Sequence, residues 1–219
     1  EYTALVASNS IDFFDAIQLV RKRGELMQSA VPTGTGSMAA ILGLEDAFIV
    51  EICQKASNQG VVEAVNFNSP GQVVIAGEKN AVAHACELMK EAGAKRALVL
   101  PVSVPSHCSL MKDAAGKFKT YIEFVDLKAG NVKVIHNVDA DYAGDIKDIK
   151  AKLVEQLHMP VLWASSVNKM KDSGVEKLIE VGPGKVLTGL TRRIDKSLSA
   201  SAIIDVGSLK STIEEISNA

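Results

Sequence analysis

The stretch Val61-Val62-Glu63-Ala64-Val65-Asn66-Phe67-Asn68, followed by Ser69-Pro70-Gly71 and then Gln72-Val73-Val74-Ile75-Ala76, decides how the chain is read. Two short apolar runs rich in β-branched residues flank a three-residue breaker, which predicts a hairpin. On its N-terminal side, residues 45–57 place Phe48, Ile49, Ile52 and Cys53 on one side of a helix. On its C-terminal side, residues 80–92 do the same with Ala81, Ala85, Leu88 and Met89. Apolar runs at 37–44 and 97–104 read as strands and close the pattern. The order β-α-β-β-α-β is the ferredoxin-like unit, whose helices should cover one face of a four-stranded sheet.

Further out, residues 11–31 read as a helix that Ser10 can cap. Phe13, Ala16, Ile17, Val20, Gly24 and Met27 recur at spacings of three and four and predict its apolar stripe. At about 100° per residue, Arg23 falls about 20° from the stripe edge and should be half-buried, while Arg21 and Lys22 point away. The breaker Val31-Pro32-Thr33-Gly34-Thr35-Gly36 ends this helix. After Pro105 a helix is expected to about Phe124, then a strand at 131–138 and helices at 145–157 and 163–173. A strand at 176–181, the tight turn Gly182-Pro183-Gly184 and a helix at 185–195 follow. Helices alternating with strands on both sides of the small unit predict an α/β fold into which that unit is inserted. Residues 1–36 and 105–219 would form the large subdomain, and residues 37–104 the small one.

Bulk properties exclude several functions. A net charge of −2 supplies no basic field for nucleic acid or an anionic membrane. No apolar run approaches the roughly 20 residues of a membrane-spanning helix. The opening Glu1-Tyr2-Thr3 has neither the basic region of a secretory leader nor an initiator methionine, which hints that something precedes Glu1. Cys53, Cys86 and Cys108 are odd in number and scattered without a CxxC pair. They read as small buried apolar residues in a reducing cytosol, with no disulfide framework and no zinc site.

Four places could carry chemistry. His107, in Val104-Pro105-Ser106-His107-Cys108, is expected in the first turn of a helix, where the positive helix end disfavours imidazolium. A neutral imidazole near pH 7 suits a general base; the competing reading is a histidine that caps or packs. His84, His136 and His158 lack such a context and read as structural. A half-buried Arg23 wants a carboxylate or phosphate, unless an internal ion pair or a snorkelling stem satisfies it. Glu180-Val181-Gly182-Pro183-Gly184-Lys185 does not have phosphate-loop spacing, and reads as a tight turn that starts a helix. Cys108 adjoins His107, but neighbours on a helix point about 100° apart, poor geometry for a nucleophile and its base.

Longer motifs point to one family. The run from Val102 to Met111 (Val-Ser-Val-Pro-Ser-His-Cys-Ser-Leu-Met) and the run from Asn66 to Gly77 (Asn-Phe-Asn-Ser-Pro-Gly-Gln-Val-Val-Ile-Ala-Gly) resemble malonyl-CoA:acyl carrier protein transacylases. So do Arg23-Gly24 with Met27-Gln28, and Glu180-Val181-Gly182-Pro183-Gly184-Lys185-Val186-Leu187. The resemblance spans nearly the whole chain. It implies a hydrolase-like acyltransferase domain, here partial, that moves a malonyl group from coenzyme A to acyl carrier protein through a malonyl-serine ester.

The same resemblance implies residue roles. His107 would be the general base, the backbone carbonyl of Gln156 would orient it, and Arg23 would hold the malonyl carboxylate. Met38, Asn68, Gln72 and Ser106 would line the pocket, and Lys95 and Arg96 would meet carrier protein or coenzyme A. It also places the nucleophilic serine in a Gly-His-Ser-x-Gly elbow immediately upstream of Glu1-Tyr2, with an oxyanion-hole Gly-Gln-Gly segment further upstream. Residues 1–219 alone are then expected to be inactive. No cofactor is implied beyond the coenzyme A thioester substrate, no metal, and a cytoplasmic site of action. Two alternatives stand beside this: an acyltransferase for another acyl-CoA, and a non-catalytic carrier-protein-binding module.

Overall fold

The computed structural model describes residues 1–217. Its first helix, α1 (Tyr2–Ala7), begins where the carbonyl of Glu1 accepts from Leu5 N at 2.8 Å; at six residues it is too short to show a periodicity. Asp12, rather than Ser10, caps α2 (Phe13–Gln28), its carboxylate accepting from Phe14 N at 2.8 Å and Asp15 N at 3.4 Å. Ser10 is instead buried, its hydroxyl 2.8 Å from that of Ser8. The buried line of α2 is Ala16, Leu19 and Met27. Phe13, Ile17 and Val20 are exposed. Leu19 turns the stripe, because α2 lies against Met111, Ala115 and Phe118 on the side where Leu19 points. Arg23 follows Leu19 by four residues, which puts it half-buried on this line.

The predicted hairpin forms. β1 (Gly36–Leu42), β2 (Val62–Ser69), β3 (Gln72–Glu78) and β4 (Arg96–Val99) make one antiparallel sheet in the order β2-β3-β1-β4. Met38 pairs with Ala76, Leu42 with Gln72, and Ser69 with Gln72 across a Pro70-Gly71 corner. Gly71 takes φ 70°, a conformation that side chains with a Cβ resist. Two helices, α3 (Asp46–Ala56) and α4 (Lys79–Glu91), cover one face. Ile49, Ile52, Cys53, Ala81, Ala85 and Met89 meet Ala39, Ile41, Val73 and Ile75 there, all essentially sealed from water. β4 ends at Val99, short of the predicted 104, because Pro101 has no N–H for a ladder.

A 3₁₀ turn at Ser109–Met111 leads into α5 (Lys112–Ile122), and α6 (Ile146–Glu155) follows a long loop. Met111, Ala115, Phe118, Ile122, Leu153 and Leu157 form a second core with Leu5 and Leu19. The strand predicted at 131–138 does not form. Only Ile135 bridges to Tyr142, while Asn131 N, His136 N and Asn137 O bond to loop groups. Alternating valines there have no neighbouring strand to complete a ladder.

The chain divides into two units, Glu1–Trp163 and a second from Ala164 onward. All but the first residue of α7 (Trp163–Asp172) lies in the second, followed by β5 (Lys177–Val181), α8 (Val186–Ile194), β6 (Ser199–Ile203) and α9 (Val206–Ser217). β5 and β6 pair in parallel, Lys177 opposite Ser199. Lys171 bonds to Asp195, and Lys177 reaches Glu215 at 2.9 Å. β6 and α9 lie past the last predicted helix. Among the described residues no helix is long and apolar enough to cross a membrane.

Candidate active site

His107 sits in a loop held at two levels. Pro105 and Ser103 O press so closely on Gly36 that a Cβ there would lie 2.4 Å from Pro105 Cδ, so the loop is seated against the start of β1. His107 itself adopts φ 65°, a left-handed conformation that a non-glycine residue keeps only where its surroundings enforce it. Two bonds enforce it here. His107 N donates to Leu157 O at 3.0 Å, and Nδ1 lies 2.6 Å from Gln156 O. A carbonyl oxygen only accepts, so Nδ1 carries the proton and the neutral ring presents its lone pair at Nε2.

The helix-end expectation for His107 is corrected: helical structure begins at Ser109, two residues later. Burial instead holds the imidazole below its ordinary value; the Gln156 carbonyl opposes this, Arg23 reinforces it and Glu1 opposes it.

Gln156 is placed by α6. Asp145 caps the helix, accepting from Asp148 N at 2.8 Å, and Gln156 terminates it. The last carbonyls of a helix lack intrahelical partners. Those of Gln156 and Leu157 find theirs in His107. The chain then runs along the edge of β2, where Phe67 N donates to Val161 O at 2.9 Å and Val161 N to Val65 O at 2.8 Å.

Arg23 faces the same region. Its guanidinium is within electrostatic reach of His107, Tyr2 and Glu1. Burial lowers its proton affinity, and the neighbouring Tyr2 and Glu1 oppose that. Its Nε is buried without a hydrogen-bond partner among the described residues. Arg21 and Lys22 serve another purpose: both pair with Glu25 near solvent, at 3.1 Å and 3.7 Å. A buried guanidinium donor with no acceptor is costly, and a ligand carboxylate would satisfy it.

Met38 joins Val65, Val74, Ala76 and Cys108 on the sheet face opposite α3 and α4, next to the His107 loop. Gln72 alternates with Val74 and Ala76 and so shares that face, four residues further along β3. Asn68 lies in an irregularity of β2 between Phe67 and Ser69. Ser106 is half-buried, its N–H donating to Val104 O. Lys95 and Arg96 are exposed at the start of β4, where Arg96 pairs with Leu42 at the level of Gln72, four residues along β1 from Met38. Cys108 is sealed, its thiol donates to Pro105 O at 3.1 Å, and burial pushes it up to about 12. Such a thiol supplies no thiolate near neutral pH.

Sequence reasoning missed three groups. Glu63 on β2 accepts from Ser109 N at 3.2 Å and also from the Ser109 hydroxyl, tying the sheet to the turn after His107. An acid within the apolar run at 61–65 was its signal. Glu1 and His136 form a buried pair at 3.0 Å, which no spacing could reveal across 135 positions. In the second unit Glu180 accepts from both Thr188 N and Thr188 Oγ1 at 2.8 Å. Burial pushes Glu180 up, but those bonds and the Leu187 and Val186 amides outweigh it and lower it. A carboxylate thus occupies the N-terminus of α8, where a phosphate-binding turn would hold its anion.

The geometry can be set beside known proteins. The acyl transferase domain model matches residues 1–215. A malonyl CoA-acyl carrier protein transacylase of Escherichia coli K12 is 54% identical over 214 residues, covering 98% of this chain and 69% of that protein. An acyl carrier protein S-malonyltransferase from Vibrio cholerae superposes with a TM-score of 0.95 at 56% identity, covering 97% of this chain and 69% of that one. A malonyl-transacylase in complex with its type II PKS acyl-carrier protein gives 0.96 at 50% identity, covering 98% and 69%. The chain therefore belongs to the acyl transferase domain family, with its mixed α/β fold.

Proposed function

We propose that the protein transfers a malonyl group from coenzyme A to acyl carrier protein through a malonyl-serine ester. The observation that carries this reading is the pairing of His107, proton fixed on Nδ1 by the Gln156 carbonyl, with the buried, unpartnered Nε of Arg23. His107 Nε2 takes the serine proton as the oxygen attacks the thioester carbonyl. The imidazolium returns that proton to the departing coenzyme A thiolate. In the second half the carrier-protein thiol gives its proton to Nε2 and attacks the ester, and the serine oxygen leaves with that proton. Gln156 O stabilises the imidazolium in both halves, as a carboxylate does in hydrolase triads. Arg23 takes the malonyl carboxylate as a bidentate pair, which an acetyl group cannot match.

We assign the nucleophile to a serine N-terminal to Glu1, as the resemblance implies. Support comes from Glu1, which lies within electrostatic reach of both His107 and Arg23. Met38, Gln72, Asn68 and Ser106 are read as the acyl pocket, supported by the shared sheet face of Met38 and Gln72. Lys95 and Arg96 are read as contacts for acidic carrier protein or coenzyme A, supported by their exposure.

Residues 37–104 are read as an inserted ferredoxin-like subdomain, supported by their strand order, with 1–36 and 105–219 as the large subdomain. No cofactor is assigned beyond the thioester itself. Cytoplasmic action is supported by three cysteines buried as free thiols.

The test is the intact mass of the enzyme before and after brief exposure to malonyl-CoA, followed by addition of carrier protein. Gain of one malonyl group, lost on transfer, is expected. An adduct from acetyl-CoA but none from malonyl-CoA would mean another acyl group; carrier-protein binding with no adduct would mean a binding module.

A further inference from the structure

Behind the Gln156 carbonyl lies a carboxylate that no part of the mechanism above uses. The Glu1 side chain is 3% exposed, and both of its oxygens are engaged. Oε1 accepts from His136 Nδ1 at 3.0 Å and from Asn137 N at 2.9 Å. Oε2 accepts from Gln156 Nε2. Gln156 and His136 are themselves buried, at 5% and 1% exposure. A carboxylate only accepts, so His136 carries its proton on Nδ1.

One residue, Gln156, thus faces both ways: its side-chain amide donates to Glu1, and its carbonyl accepts from His107 at 2.6 Å. Asn137 extends the clamp, because its own carbonyl accepts from Leu162 N at 2.9 Å, just past the segment that carries Gln156.

We propose that Glu1 is a positioning residue for His107: its carboxylate fixes Gln156, and through it the carbonyl that orients the imidazole. A buried anion is costly unless fully hydrogen-bonded, and an apolar residue could close this space at less cost if only core were needed. The charge has a use where imidazolium forms. In hydrolase triads a carboxylate touches the imidazole directly; here it stands one residue back and acts through an amide. Glu1 favours the protonated ring, and Arg23 opposes it.

This inference rests on His107 being the base. The test is Glu1→Gln in the intact enzyme, measured as kcat, KM and the pH profile of malonyl transfer, with His107 titrated by NMR. The expected result is a fall in kcat on the order of 10- to 100-fold, with KM for malonyl-CoA changed less than about threefold. The acid limb of kcat/KM and the His107 titration should both move to lower pH, since a negative charge near the imidazolium is gone. A loss matched by the unfolded fraction, with the limb and titration unmoved, would overturn the proposal.

Gln156→Met covers the case in which Glu1→Gln does not fold. It cuts the link to Glu1 while leaving the backbone carbonyl, and should lower kcat in the same sense. Full kcat in Gln156→Met would equally sink the relay. Absence of malonyl transfer by the parent enzyme would instead refute the functional reading, and the NMR titration would still decide whether Glu1 positions His107.

Discussion

Around Ile41, Ile49 and Ile75 the molecule is sealed by apolar side chains and two buried cysteines, and around His107 it is held by a handful of polar contacts between loops. The first region is redundant: losing one methyl group leaves the other contacts in place. The second is serial. Gly36 seats Pro105, the Gln156 and Leu157 carbonyls lock His107, and the edge of β2 holds Val161. The lesson is that stability and the proposed chemistry rest on different neighbourhoods, so a mutation in one should leave the other's readout nearly intact.

The largest effect tests the loop side. His107→Ala should slow acylation by malonyl-CoA about 10³-fold while the melting temperature stays within a few degrees. Equal acylation by the variant would remove His107 from the role of base. The parent adds a pH signature. Because the folded imidazole lies below the ordinary value of 6.5, the acid limb of kcat/KM should also lie below 6.5. In that window the unfolded chain binds more protons than the folded one, so this group lowers stability as pH falls through it and contributes nothing above it.

The sheet side breaks differently. Ile75→Ala, at a position on β3 sealed from water beneath the two helices, should cost about 3 kcal/mol of stability. Below the melting transition its kcat should stay within about threefold of the parent; urea unfolding and a rate assay check the pair. A collapse of kcat at full foldedness would show that the two regions are coupled.

Arg23→Ala sharpens the comparison, because Arg23 sits on a core-facing line of α2 yet belongs to the site. Malonyl transfer should fall about 10²-fold, while acetyl transfer falls far less. Equal losses for both substrates would make Arg23 a structural residue.

The same division explains what was legible in the sequence. The sheet region was read nearly whole, because Val62–Ser69 and Gln72–Glu78 carry short β-branched apolar runs around a breaker and their two helices carry period-3.6 patterns, all within short windows. His107 and Arg23 stood out as candidates from local context, but their roles and the Gln156 carbonyl were reached only through long motifs. Their meeting depends on contacts such as the one between His107 and Gln156, 49 positions apart. The predicted strand at 131–138 failed for the converse reason: its alternation was genuine, but pairing is decided by neighbours that no local window contains. The α2 stripe failed more mildly. Ile17 and Leu19 both fit a helical face, and α5 chose Leu19.

The smallest effect joins the two regions through a helix. Asp145 caps α6 by accepting from Asp148 N, and Gln156 ends the same helix ten positions past its first residue, Ile146. Asp145→Ala should cost about 1 kcal/mol of stability, the usual worth of such a cap. If the cap only stabilises, kcat for malonyl transfer is unchanged, because the C-terminal carbonyl is pinned from outside the helix by His107 and, further on, by β2. A fall in kcat of tenfold or more in the folded variant would mean that fraying at Asp145 travels the length of α6. The position of Gln156 would then depend on the whole helix rather than on its last turn.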